Sequence, residues 1–279
     1  MSLGHISKFK VDRETQLGYM LVDENKEYFL HRNECNFKVL NSGDTVTAFI
    51  YVDKKGREAA TLHLPSITLD NIGFGTVKTV KNEMGAFIDI GISKDILLSK
   101  DELPPSFRMW PKEGDEVSCL MKVRADKLIL KLASKNDFLK QVNDIRYAID
   151  EHVDAFVYRI TDEGINLVTK DFKVIFVYKA HLRGTFRIGE KVNVRIIFAN
   201  ENDYSGSLLV EKKEQIQNDK EVILEYLKSH NGVMMITEDA PAELISHNFH
   251  MSKSSFKHAI GGLLKENLIE KLEDKIVLL

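Results

Sequence analysis

The chain has few of the residues that mark disulfide frameworks and disordered linkers. Its 279 residues include two cysteines, Cys35 and Cys119, and five prolines. The two cysteines match no metal-ligand spacing, which argues against a disulfide framework or a zinc site. We expect both to be buried as small hydrophobic residues. The low proline content argues against long disordered linkers.

Long apolar runs are also missing. The first residues, MSLGHISKFK, lack the apolar core of a signal peptide. No stretch approaches the roughly 18 apolar residues of a membrane-spanning helix. Hydrophobic residues make up 43% and charged residues 29% of the chain, as in ordinary globular proteins. We therefore expect a packed, cytoplasmic protein without a membrane partner.

One short pattern occurs three times. Gly, an acidic residue, a variable residue and Val, followed by apolar residues, begin at Gly43, Gly114 and Gly189. The copies are about 70 to 75 residues apart, which suits a small barrel and is too long for a solenoid repeat. We predict four domains, three of them repeats, at residues 1–65, 66–134, 135–211 and 212–279.

The middle copy shows the strand pattern best. Residues 73–92 predict a β-hairpin, Ile96 to Ser99 a third strand, and residues 116–133 a second hairpin that turns at Ala125-Asp126. The pair Pro104-Pro105 prevents a long helix between them. Five strands with a short helical connection after the third predict a Greek-key barrel.

This unit resembles the S1-type RNA-binding domain, an OB-fold module. The matching segments are Gly75-Thr76-Val77, Gly85-Ala86-Phe87-Ile88-Asp89-Ile90, Leu97-Leu98-Ser99-Lys100-Asp101-Glu102-Leu103 and Gly114-Asp115-Glu116-Val117. The segment from Leu97 to Leu103, which we call the box, aligns with degenerate copies at residues 29–35 and 176–182. The third residue of each copy is the box position. The fold class predicted is therefore mostly β with α: three tandem five-stranded OB-fold barrels, followed by a different domain.

The resemblance implies that bases stack on aromatic residues of the second and third strands. Phe87 is present in the middle copy, but Met20 and Asn166 replace it in the other two. His31, Ser99 and Tyr178 occupy the box position. The candidate stacking residues are Phe74, Phe87 and Tyr178. The alternative for Phe87 and Tyr178 is a role in the core, and for His31 a structural role is favoured.

Basic residues gather in the third copy, although the net charge of the chain is −3. Seven Lys and Arg residues fall between 170 and 195, against two acids, Asp171 and Glu190. Such a cluster is typical of a phosphate-binding surface, and a solvated face is the alternative. The candidate phosphate ligands are Lys170, Lys173, Lys179, Arg183, Arg187 and Arg195.

Between the second and third copies, apolar residues recur at helical spacing. Phe138, Val142, Ile145 and Ile149 predict an amphipathic helix over residues 134–150, capped by Ser134 or Asn136.

From residue 213 the apolar period changes from two to 3.6. Helix, strand, helix, helix and hairpin follow in order, which is the order of a winged helix. Its third helix enters the major groove in DNA-binding members, and here it carries Lys253, Ser254 and Lys257. The acidic wing is a poor phosphate contact. The alternative is a module for packing or for contact with protein.

Together these features resemble the conserved virulence factor B family of Firmicutes. The residues that carry the resemblance are Phe74-Gly75-x-Val77, Gly85 to Gly91, Glu102-Leu103-Pro104, Trp110-Pro111-Lys112-x-Gly114-Asp115 and Met251 to Leu263. The resemblance implies an RNA-binding regulator of virulence gene expression and no enzyme.

No nucleophile–base pair, phosphate-binding Gly-rich loop or carboxylate cluster occurs, so we expect no catalysis, cofactor, metal or small-molecule substrate. Single-stranded RNA is the expected partner and the monomer the expected state. Two alternatives stay open: a DNA-binding transcription regulator acting through the winged helix, and a protein-docking scaffold.

Overall fold

The computed structural model describes residues 2–24, 26–200, 203–209 and 212–279, with side chains from residue 216 onward in the last range. The chain divides into two compact units, up to residue 208 and from residue 209. None of the helices in the described ranges is both long and apolar enough to cross a membrane.

The first unit contains three closed five-stranded barrels. In the first barrel the strands are β1 (Ile6–Thr15), β2 (Gly18–Val22), β3 (Glu27–His31), β4 (Thr45–Val52) and β5 (Glu58–Thr61). They close in the order β1-β2-β3-β5-β4, with β3 and β5 parallel. Phe9, Leu21, Leu30 and Phe49 are buried in its centre, because alternate residues of each strand point inward.

The second barrel contains β6 (Gly73–Lys81), β7 (Gly85–Asp89), β8 (Ile96–Ser99), β9 (Glu116–Arg124) and β10 (Lys127–Leu132). Both predicted hairpins and the third strand are present, and the second hairpin turns at Ala125 and Asp126, which have positive φ. Gly85 is required at the start of β7, since a Cβ there would lie 2.1 Å from the Leu98 carbonyl oxygen.

The third barrel contains β11 (His152–Ile160), β12 (Gly164–Val168), β13 (Val174–Tyr178), β14 (Lys191–Ala199) and β15 (Tyr204–Ser207). Its closed order repeats that of the first barrel, again with the third and fifth strands parallel. The prediction of three five-stranded barrels is confirmed. Both cysteines are buried, as predicted.

The predicted helix over residues 134–150 is wrong in length. Helix α1 covers only Lys135–Leu139, although Ser134, one of the two predicted caps, does cap it, in a capping box with Asp137. Beyond it the Asn143 side chain accepts from the Ile145 amide at 3.1 Å and donates to the Asp171 carbonyl at 2.7 Å. These bonds satisfy the backbone locally and compete with a helix. As a result Val142 is 93% exposed instead of facing a core.

Residues 140–150 complete the segment between the second and third barrels, and we call them the connector. Polar contacts hold the connector to the third barrel. The Tyr147 hydroxyl donates to the Asp171 carboxylate at 2.7 Å, and its ring packs edge-on against Tyr204 with the ring centroids 5.7 Å apart. The connector is therefore fixed by hydrogen bonds and one aromatic contact.

The second unit is a winged helix, as predicted. Its elements are α2 (Lys212–Ser229), β16 (Val233–Met234), α3 (Ala242–Phe249), α4 (Lys253–Lys265), β17 (Ile269–Lys271) and β18 (Ile276–Leu278). The strands form one sheet in the order β16-β18-β17. Helix α3 begins directly after Pro241. The core contains Ile223, Leu227, Phe256 and Leu263, among other residues.

Two adjacent glycines in α4 have different environments. A Cβ on Gly261 would meet nothing within 4 Å, whereas a Cβ on Gly262 would lie 2.3 Å from Cε of Lys220. Lys220 is buried and its ammonium group donates to Glu266 at 2.6 Å. Gly262 thus provides the space through which the Lys220 side chain reaches Glu266.

This difference predicts opposite effects of one substitution at neighbouring positions. Gly261→Ala should raise the free energy of unfolding by up to about 1 kcal/mol, because alanine is the better helix former. Gly262→Ala should lower it by about 1 to 2 kcal/mol, because the new methyl group displaces a buried lysine. Chemical denaturation of the two variants checks this. Equal effects would show that Lys220 adapts without cost.

Candidate nucleic-acid interface

Near the middle of its second and third strands, each barrel presents an outward-facing cross-strand pair. The pairs are Met20 with Phe29, Phe87 with Leu97, and Asn166 with Phe176. Their neighbours along each strand are buried, while these six side chains are half-buried. Every barrel therefore has one aromatic ring in this pair, but on different strands.

Sequence reasoning found only one of these three rings. Phe87 was a candidate, and its ring lies 5.6 Å from the Lys81 ammonium group. Phe29 and Phe176 do not appear among the candidates, because on the third strand the resemblance points to the box position alone. The signal was available, since each lies two residues before the box position and so shares its face of the strand.

The side chain at the box position does not have the same role in all three barrels. His31 Nδ1 accepts from the Asn33 amide at 3.2 Å, and Ser99 Oγ accepts from the Asp101 amide at 3.3 Å, so both cap a short 3₁₀ helix. This is the structural role favoured for His31 in the sequence analysis.

Tyr178 is the exception, because it makes no such cap. It is 53% exposed, and its ring lies edge-on to Phe176 with the centroids 4.5 Å apart. Its two-ring arrangement with Phe176, which we call the aromatic platform, is partly open to solvent.

The cross-strand row of residues that contains Phe176 continues on both sides of the platform. Arg159 pairs across the strands with Asn166, which pairs with Phe176. On the other side Ser205 pairs with both Phe176 and Phe198, and Phe198 is exposed. The residues that follow Tyr178 include Lys179 and Arg183, which are also exposed. Arg159 therefore lies in the same cross-strand row as the Phe176 ring.

Other predicted phosphate ligands are engaged within the protein. Arg187 donates from Nε and an Nη to Asp115 of the second barrel at 2.8 and 2.9 Å. This bond is the main reason that the pKa of Arg187 is raised. Arg195 donates to Asp150 at 2.7 Å, and Lys173 donates to the Asn143 carbonyl at 3.1 Å.

Phe74 and Lys170 lie in the contact between the second and third barrels. The Phe74 ring lies 5.2 Å from that of Phe156 and 5.7 Å from that of Phe172, centroid to centroid. The Lys170 ammonium group lies 4.3 Å from the centre of the Phe74 ring and also forms an ion pair with Glu116. These two residues help to join the barrels.

A groove runs between the first and second barrels. The β4–β5 loop of the first barrel contains Asp53 and Lys54, and these two residues with Lys94 line two adjacent cavities. The first cavity, of about 280 Å³, contains Phe29 and His31. The second, of about 310 Å³, contains Phe87 and Lys127. The aromatic rings of the two barrels thus face one groove.

Lys94 contributes a cation of reduced basicity to this groove. Its ammonium group donates to the Val52 and Asp53 carbonyls at 2.6 and 3.2 Å. Desolvation by burial lowers its pKa. Local sequence patterns do not reveal this groove, because its parts come from two barrels.

In the winged helix, the predicted contact residues are exposed. Lys253, Ser254 and Lys257 lie in the first turns of α4, where Ser252 caps the helix by accepting from the Ser255 amide at 3.1 Å. The wing carries exposed Glu270, Glu273 and Asp274. The recognition-helix position is therefore basic and the wing largely acidic.

The described residues include no group of three or more His, Cys, Asp or Glu side chains that could hold a metal ion. Both thiols are poor nucleophiles, because burial raises the pKa of Cys35 and of Cys119. The chemistry that the site offers is stacking, hydrogen bonding and phosphate binding.

Family models match most of the chain. Residues 3–63 match an S1 domain, residues 72–130 the CvfB first S1-like domain, and residues 221–278 a CvfB-like winged helix domain. S1 and winged-helix domains are nucleic-acid-binding types, so the matches support nucleic-acid binding.

A solved structure shares the fold over the full length. It is a multidomain protein with nucleic acid binding domains from Streptococcus pneumoniae, 27% identical, covering 100% of this chain and 99% of that chain with a TM-score of 0.66.

Curated relatives cover nearly the whole sequence. YitL of Bacillus subtilis is 30% identical over 96% of this chain and 91% of its own length. Conserved virulence factor B of Staphylococcus haemolyticus is 32% identical over 93% of this chain and 89% of its own, and that of Staphylococcus aureus is 32% identical over 93% and 88%. With this identity and coverage, together with the domain matches, the chain belongs to the conserved virulence factor B family.

Proposed function

We propose that the protein binds single-stranded RNA and regulates virulence-type gene expression after transcription. The observation that carries the proposal is the aromatic platform, where Tyr178 is 53% exposed and edge-on to Phe176. Base stacking on such rings is worth about 1 to 3 kcal/mol per base and tolerates any sequence. The regulatory role is supported by the name of the staphylococcal relatives.

The phosphate contacts divide into two groups in this proposal. Lys179 and Arg183 on the third barrel, with Lys253 and Lys257 on α4, bind the backbone directly, because their side chains are exposed. Lys170, Arg187 and Arg195 act mainly through the ion pairs that fix the barrels. Lys173 acts through its bond to the connector.

RNA is favoured over duplex DNA for two reasons. Each barrel presents a half-buried, partly accessible aromatic ring on its second or third strand, which suits stacking on unpaired bases. The acidic wing repels the phosphates of a duplex that lies against α4. Duplex DNA binding through α4 is the second candidate, favoured by the exposed Lys253 and Lys257.

Removal of the aromatic platform should weaken RNA binding more than removal of another exposed ring. Phe176→Ala with Tyr178→Ala should raise the Kd for single-stranded RNA by about 10- to 100-fold, since two stacking contacts are lost. Phe37→Ala is the matched control, because Phe37 is fully exposed outside the three outward pairs. Fluorescence anisotropy measures both variants.

The same titration with single-stranded and duplex DNA separates the candidates. Tight duplex binding that depends on Lys253 and Lys257 and not on the platform would contradict the RNA proposal. Binding to none of the three would favour a protein-docking role.

The salt dependence should distinguish direct phosphate ligands from ion-paired residues. Lys179→Ala with Arg183→Ala should reduce the slope of log K against log salt by about 0.7 per residue, the value for single strands. Lys191→Ala is the control, because Lys191 forms an ion pair with Asp154 at 2.7 Å and should leave the slope nearly unchanged. An equal reduction in both variants would show that the ion pairs open on binding.

A further inference from the structure

The cavity on the first barrel contains a buried carboxyl oxygen for which the described residues supply no hydrogen-bond partner. It is lined by Phe29, His31, Glu34 and Tyr51, with Lys54 and Lys55 also on its wall. Its volume of about 280 Å³ is close to the lower end of small-molecule pockets, roughly 300 Å³, and suits a single base.

Glu34 is only 8% exposed, yet its Oε2 atom has no hydrogen-bond partner among the described residues. The Tyr51 hydroxyl lies 3.3 Å from Ser93 Oγ. Burial raises the pKa of Tyr51, and the Glu34 carboxyl group contributes to that shift. A buried oxygen without a donor costs about 1 to 3 kcal/mol, so a ligand that supplies an N–H group gains from binding here.

The residues equivalent to Glu34 in the other two barrels do not provide an unpaired carboxyl group. Glu102 of the second barrel is paired with Lys131 at 3.8 Å, and His181 takes the place in the third barrel. The unsatisfied carboxyl group therefore belongs to the first barrel, whereas the outward aromatic ring is shared by all three.

His31 supplies the complementary donor. Its Nδ1 atom accepts from the Asn33 amide at 3.2 Å, so in the neutral ring the proton is on Nε2. The cavity thus offers an acceptor at Glu34, a donor at His31, the Phe29 ring for stacking, and cations for the adjacent phosphates.

Guanine is the base that matches this set. Its Watson–Crick edge carries two adjacent N–H donors, at N1 and N2, next to the O6 acceptor. The edges of adenine, cytosine and uracil each carry one donor group. We propose that this cavity is a guanine-selective subsite in which Glu34 accepts from the base edge. The inference rests on the proposed RNA binding and adds base selectivity at one barrel.

The test compares short oligouridylates that contain one central guanosine, inosine, adenosine or cytidine, by anisotropy with the full chain. The wild type should bind the guanosine oligonucleotide about tenfold more tightly than the adenosine one, since a good bidentate base contact is worth about 1 to 3 kcal/mol. Inosine, which lacks the N2 amino group, should fall between them.

Glu34→Gln should abolish the guanosine preference, so that the guanosine and adenosine oligonucleotides bind equally. Glu102→Gln is the matched control and should keep the preference. If Glu34→Gln fails to fold by circular dichroism, the guanosine and inosine comparison in the wild type still decides.

Three results would count against the inference or its basis. Tight binding with equal affinity for all four oligonucleotides overturns guanine selectivity and leaves the proposed function standing. A preference that Glu34→Gln retains, or that Glu102→Gln also abolishes, overturns the assignment to Glu34. No binding of any RNA overturns the proposed function itself.

Discussion

The antiparallel register of the second and third strands is the constraint on which each barrel face depends. Because side chains alternate across a strand, burial of Leu21 and Leu30 in the first barrel fixes Met20 and Phe29 outward, and the other barrels repeat this pairing. A shift of one residue would exchange core and surface. The same alternation that builds the core therefore places one aromatic ring on each face.

The charges of the third barrel show how tertiary contacts redistribute a basic sequence. In the chain, seven basic residues stand near two acids. In the fold, carboxylates of the second barrel and the connector approach them, as Asp115 approaches Arg187 and Asp150 approaches Arg195. An Arg–carboxylate pair with two parallel bonds orients the barrels as well as neutralising charge. Position along the chain is thus a poor guide to which cations face solvent.

Much of the fold could be predicted from local patterns, and the failures have specific causes. The hairpins, the turn at Ala125-Asp126 and the winged-helix order follow from period and turn residues. The helix over 134–150 failed because Asn143 uses its side chain to bond nearby backbone, which periodicity does not report. Phe74, a candidate stacking residue, packs against Phe156 of the neighbouring barrel, a contact that local patterns do not report either.

The sequence by itself determined the three barrels, the winged helix and the family, because these depend on short-range patterns of apolar residues, glycines and turns. Only the tertiary structure decided which rings and charges are available. The aromatic platform at Phe176 and Tyr178 is exposed because no side-chain cap holds the tyrosine. The groove beside Glu34 exists because a loop of one barrel lies against the next. The groove depends on contacts between residues that are distant in the chain, which local patterns do not encode.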